Sequence, residues 1–145
     1  MTKAALLSSG LIETIKKKIP IVTQGFIAGT YFRDEKVLST LGRGAGDYTA
    51  ALLARLLYEL GLGNPEVTLY KDVAGVANRN PKKDSDEPLH FYKHLSYPQL
   101  KDMVATGGTA EGLIYQKTIT ELEKFRGSLS VKSFWDFEEP GTLIC

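Results

Sequence analysis

The stretch Ser39-Thr40-Leu41-Gly42-Arg43-Gly44-Ala45-Gly46-Asp47 runs directly into Tyr48-Thr49-Ala50-Ala51-Leu52-Leu53-Ala54-Arg55-Leu56-Leu57-Tyr58-Glu59-Leu60. The first part is glycine-rich and the second is apolar at nearly every position. Together they read as a loop opening into a helix buried on most sides. Arg55 and Glu59 share one helix face at i,i+4. Gly61 and Gly63 end the helix, and Asn64-Pro65 makes the turn beyond it.

Upstream of this stretch, Ile19 to Phe26 is apolar and β-branched and reads as a buried strand. Ala28 to Lys36 is polar and turn-like, and Val37 to Leu41 reads as a second short strand. Before them, residues 1–18 read as an entry helix: Ala4, Leu7, Leu11 and Ile15 fall close to helical spacing, although Gly10 weakens it. Lys16, Lys17 and Lys18 suit a solvated helix C-terminus, and Pro20 stops it. After the central helix, Glu66 to Tyr70 reads as a strand ending at Lys71-Asp72. Val73 to Pro81 is a loop, and the charged run from Lys82 to Pro88 is exposed. Tyr97 to Ala105 and Ala110 to Phe125 read as helices, Ser128 to Phe134 as a strand, and the rest as a loop with Pro140 and Gly141. Strands alternating with helices predict an α/β layered sheet.

The composition closes off other classes. With 145 residues, 43% of them hydrophobic, the chain suits one domain with a real core. Its 18 basic and 17 acidic side chains give a net charge of +1, which offers no electrostatic footprint for nucleic acid or an anionic membrane. No apolar run approaches the length needed to span a bilayer. Lys3 precedes a short apolar stretch, but no small-residue cleavage site follows before Glu13, which argues against a secretory signal. Cys145 is the single cysteine. It excludes an internal disulfide framework and a multi-cysteine zinc site, and makes the reducing cytoplasm the natural compartment.

Chemistry has two candidate locations. In the loop Gly42 to Asp47, glycines let the backbone approach an anion, and the following helix offers free N–H groups and a positive dipole end. Arg43 adds a guanidinium suited to carboxylate or phosphate. Asp47 is an N-cap candidate and could equally address a cation or an amino group. A tight structural turn explains the same residues. The loop has neither the Gly-Lys-Ser/Thr ending of a P-loop nor the third glycine of a dinucleotide fingerprint. The second location is Lys71-Asp72-Val73-Ala74-Gly75-Val76 with Asn78, Asn80, Pro81 and Lys82, at the carboxyl edge of a strand, where open α/β folds bind ligands. A capped turn with surface lysines is the plainer explanation. His90 and His94 lack the partners of a metal site, and Ser8 and Ser9 lack any nucleophile motif. Phe134, Trp135 and Phe137 read as core or interface.

Taken together, these segments resemble the aspartokinases. Leu41-Gly42-Arg43-Gly44-Ala45-Gly46-Asp47-Tyr48-Thr49-Ala50-Ala51 is similar to that family's Leu-Gly-Arg-Gly-Gly-Ser-Asp-Tyr-Thr-Ala-Ala signature. Ile19-Pro20-Ile21-Val22 with Gly25-Phe26-Ile27 is similar to its preceding strand. Asp72-Val73, Gly75-Val76 and Asn80-Pro81-Lys82 are similar to its Asp-Val-x-Gly-Val…Asp-Pro-Arg nucleotide segment. Leu95-Ser96-Tyr97, Lys117-Thr118-Ile119, Val131-Lys132-Ser133 and Glu139-Pro140-Gly141-Thr142-Leu143-Ile144 follow in the family's order. The resemblance covers roughly residues 11 to 145.

The resemblance implies an α/β/α sandwich of the amino acid kinase type, of which residues 1–145 form a single partial domain, the nucleotide-side lobe. It implies transfer of the ATP γ-phosphoryl group to the side chain of L-aspartate, in lysine, threonine and methionine biosynthesis, with ATP and Mg²⁺ required. By position, Arg43 and Asp47 become the catalytic residues. Gly44, Ala45 and Gly46 become substrate-binding, and Lys71, Asp72, Gly75 and Lys82 nucleotide-binding. The sequence departs from the pattern at Ala45 and Gly46, at Tyr115-Gln116 in place of His-Pro, and at Gly112, where many members carry a lysine near ATP. Ala77 replaces an aromatic, and Lys71 replaces a threonine. The family's Lys-Phe-Gly-Gly phosphate motif belongs to an N-terminal half, and its regulatory ACT domains follow Gly-Thr-Leu-Ile. Both lie outside these residues. The chain alone is therefore not expected to phosphorylate aspartate, and is expected to form a homo-oligomer or dock to the complementary half-domain. A degenerate, non-catalytic lobe that binds nucleotide or a partner is the second reading; a sibling amino acid kinase with another carboxylate or carbamate substrate is a third, against which the Leu41-Gly42-Arg43 to Tyr48-Thr49 stretch favours aspartate.

Overall fold

The computed structural model of the chain describes residues 10–81, 86–106, 110 and 112–145, so Lys82 and the start of the expected entry helix lie outside the described residues. The chain divides into two compact units, Met1–Ala45 and Gly46–Cys145.

In the first unit, helix α1 covers only Leu11–Lys16 and buries none of its residues. Strands β1 (Ile27–Phe32) and β2 (Glu35–Thr40) form an antiparallel hairpin with Phe32 opposite Glu35. The two residues between them, Arg33 and Asp34, have φ of 50° and 65°. Positive φ at both central positions is the tight hairpin turn whose twist matches the flanking strands. Two expectations are corrected here. Ile19 to Phe26 forms no strand, and the turn-like segment from Ala28 to Lys36 is most of the hairpin. β-Branched residues favour extended backbone, but a strand needs a neighbour's N–H and C=O groups. Among the described residues, no segment pairs with Ile19 to Gly25.

The second unit holds the core. Helix α2 spans Ala45–Glu59, with its first residue at the unit boundary. Then follow β3 (Glu66–Lys71), β4 (His94–Leu95), α3 (Tyr97–Ala105), α4 (Gln116–Glu123), β5 (Ser128–Ser133) and β6 (Thr142–Ile144). The strands form one sheet in the order β3-β5-β6-β4. β3 and β5 are parallel, β5 and β6 antiparallel, and β6 and β4 parallel. Val67, Leu69, Leu129 and Val131 face one way and join Ala51 and Ala54 of α2, Tyr97 and Leu100 of α3, and Ile119 and Leu122 of α4 in one buried cluster.

Helix α3 matches its expected span and opens on a capping box: Ser96 accepts from the Gln99 N–H, and the Gln99 side chain accepts from the Ser96 N–H. The expected helix from Ala110 to Phe125 is shorter, because Gly112 to Tyr115 makes a turn before α4. The short strands β4 and β6 were not anticipated. Each offers too few residues for an alternating pattern to register. Helix α2 is also less covered than expected: Ala51 and Ala54 are buried, while Leu52, Leu53, Leu56 and Leu57 are only half-buried.

Candidate functional site

Helix α2 starts at Ala45, not at Asp47. Ala45 is fully buried and its N–H donates to the Gly42 carbonyl at 3.2 Å. Its φ is not positive, so the Cβ that replaces the family's glycine fits without strain. Gly44, just before it, has φ +77°. Both Gly44 and Arg43 are exposed and belong to the first unit. At Gly46 a Cβ would meet nothing within 4 Å, so the family's serine has room there.

Asp47 is thereby the third residue of the helix rather than its cap. Its carboxylate sits in the first turn, where the helix dipole favours negative charge. Lys71, the last residue of β3, reaches it: Nζ lies 2.8 Å from Oδ2 and 3.0 Å from Oδ1. The two side chains are 22% and 17% exposed for Lys71 and Asp47 respectively, so the pair is largely but not wholly sheltered from water. A residue assigned to catalysis and one assigned to nucleotide binding are thus in direct contact.

Beyond Lys71 the chain passes Asp72, which is exposed, and reaches buried Gly75. A Cβ on Gly75 would lie 2.5 Å from Oγ1 of Thr142 in β6, so only glycine fits this crossing. Thr142 fastens the segment: its Oγ1 accepts from the Val76 N–H at 2.8 Å and donates to the Tyr92 carbonyl at 2.5 Å. Sequence reading named Thr142 within a motif but gave it no role, because its partners lie 50 and 66 residues away.

A buried charge also escaped the sequence. Glu121 of α4 is 4% exposed and is paired with Arg55 of α2 and Lys124. Arg55 also reaches Glu59, at 3.2 Å, as its spacing predicted. At the carboxyl edge of the sheet, Tyr70 meets the Phe137 ring edge-on at 5.5 Å, and Phe134 lies 4.5 Å from Trp135. All four are exposed, so they are not core. His90 packs edge-on against Tyr92 at 5.2 Å. Among the described residues, no three His, Cys, Asp or Glu side chains are grouped to hold a metal ion. No helix among them is long and apolar enough to cross a membrane.

The amino acid kinase family model matches residues 4–125, and the chain belongs to that family. Within it, aspartokinases are among the similar proteins. The bifunctional aspartokinase/homoserine dehydrogenase of Daucus carota is 30% identical over 125 residues, covering 86% of this chain and 12% of its own length. Lysine-sensitive aspartokinase 3 of Escherichia coli is 28% identical over 125 residues, covering 86% of this chain and 25% of its own. The crystal structure of E. coli aspartokinase III with aspartate and ADP superposes with a TM-score of 0.74 at 27% identity, over 99% of this chain and 30% of that one. The fold is therefore the α/β fold of the amino acid kinases, and the chain spans well under a third of the length of the curated relatives named here.

Proposed function

We propose that this chain is the ATP-side lobe of an aspartokinase. Lys71, Asp72, Gly75 and Lys82 hold the nucleotide, while Arg43, Gly44, Ala45, Gly46 and Asp47 address L-aspartate and the transferring phosphate. The observation that carries the reading is the Lys71–Asp47 pair, which joins the end of β3 to the first turn of α2. The similar E. coli enzyme was crystallised with aspartate and ADP, which supports both ligand classes.

The residues fit a polyphosphate and its cation. Lys71 brings an ammonium to the first turn of α2, and Asp72, the next residue in sequence, is exposed. Mg²⁺ would supply charge neutralisation when bound. An aspartate side chain is already ionised near neutral pH and needs no general base. The protein's contribution is accordingly positioning and electrostatic stabilisation. Asp47 orients the Lys71 ammonium, and Arg43 offers a planar fork for a carboxylate.

A second reading rests on the same pair. Lys71 stands where the aspartokinase pattern has threonine, and its charge is already balanced by Asp47. Gly112 stands where many members carry a lysine, and its φ of +76° strains any side chain there. Both favour a lobe that binds without catalysing. Aspartate-dependent ADP release by the 145-residue chain separates the two. The first reading predicts turnover once a complementary N-terminal half is added, whereas the second predicts none with that half present. The half-buried leucines of α2 support association with a second copy or with that half. The reducing cytoplasm is the proposed compartment.

A further inference from the structure

Trp135 is the only tryptophan of the chain, and it is 78% exposed beside the strand end that carries Lys71. Strands β3 and β5 run parallel, and Lys71 and Ser133 are register partners at their carboxyl ends. Alternation puts both side chains on the face that Val67, Leu69, Leu129 and Val131 share. The loop after β5 is tied to that edge. Ser133 Oγ accepts from the N–H groups of Trp135 at 3.0 Å and Asp136 at 3.3 Å. The Phe134 N–H donates to the Lys71 carbonyl at 3.0 Å. Phe134 also lies against Trp135, with ring centroids 4.5 Å apart. The indole is thus backed by one ring and carried on a fixed backbone, while most of it meets water.

A ring held in this way loses little conformational entropy when it takes up a flat partner. Its charged neighbours select the partner. Asp136, Glu138 and Glu139 are all exposed, so this end of the edge repels phosphate and accepts hydrogen bonds from an amino group. Lys71, on the neighbouring strand, attracts phosphate. A nucleotide has the same polarity, with anionic phosphates at one end and a flat base with an exocyclic amino group at the other.

We infer that Trp135 stacks on the adenine of the nucleotide whose phosphates meet Lys71. This rests on the nucleotide reading above and assigns the place of the base. Phe134 supports the indole from behind, and the bond to the Lys71 carbonyl fixes the loop against the strand that holds the phosphates.

The full chain tests this through its single indole. Mg·ATP should quench Trp135 emission saturably, with the midpoint that calorimetry gives, whereas Mg·tripolyphosphate should bind without quenching. Trp135→Ala should weaken Mg·ATP binding about tenfold and leave Mg·tripolyphosphate binding unchanged. Trp135→Phe keeps a stacking face and should keep most of the affinity. The ring is exposed, so neither exchange disturbs the core. Mg·ATP binding that leaves the emission unchanged, or that Trp135→Ala does not weaken, overturns the stacking and leaves the phosphate site standing. Equal losses for both ligands in Trp135→Ala also overturn it, because they mark a structural role. A wild-type chain that binds neither ligand overturns the nucleotide reading and the stacking with it.

Discussion

At Thr142 one buried hydroxyl serves two backbone groups at once, tying the loop after β3 and the segment before β4 to strand β6. Thr142→Val keeps the shape and leaves the Val76 N–H and Tyr92 carbonyl unpaired. A loss of about 2 kcal/mol in urea unfolding is expected. Lys71 and Asp47 behave differently, because water reaches both. Their coupling in a double-mutant cycle of Lys71→Met and Asp47→Asn should be about 0.5–1 kcal/mol. Their weight falls on the ligand instead: Lys71→Met should weaken Mg·ATP binding about tenfold, or about 1.4 kcal/mol. The sequence singled out both residues and assigned them separate roles. It could not show their contact, since 24 residues separate them and no local pattern encodes a pairing at that range.

At the scale of elements, legibility followed length and locality. Helices α2 and α3 and strands β3 and β5 carry their own signals: a glycine start, a Ser96–Gln99 capping box, and apolar residues at the right period. The hairpin was missed because Arg33-Asp34 has no glycine to announce a turn with positive φ. Ile19 to Phe26 was misread for the opposite reason, since strand propensity was present and a pairing partner was not. Gly141 shows how a late turn fixes a strand. A Cβ there would collide with the Val131 carbonyl, and its φ is +73°. Gly141→Ala should accordingly lower stability by more than 1 kcal/mol, seen as an earlier thermal midpoint. Tyr97 anchors α3 by donating to the Gly127 carbonyl from a buried position. Burial, with the Cys145 and Glu123 charges nearby, pushes its hydroxyl well above the ordinary tyrosine value. The unfolded chain therefore gives up this proton first. The stability Tyr97 contributes is complete below about pH 10 and falls as pH rises beyond it. Tyr97→Phe should be less stable near neutrality and lose less between neutral and alkaline urea titrations.

Across the whole molecule, the second unit is an α/β body with one apolar cluster, and the nucleotide-assigned residues Lys71, Asp72 and Gly75 lie along a single strand end within it. The family was legible from the ordered motifs, because loop glycines and strand-end residues are local in sequence. The partners that hold those residues still, Thr142 for the Gly75 segment and Asp47 for Lys71, became visible only in three dimensions. A working nucleotide site in this unit should show itself in calorimetric titration of the 145-residue chain with Mg·ATP. Saturable binding that Lys71→Met weakens about tenfold is the expected result. Absence of binding, or binding indifferent to Lys71, would contradict it.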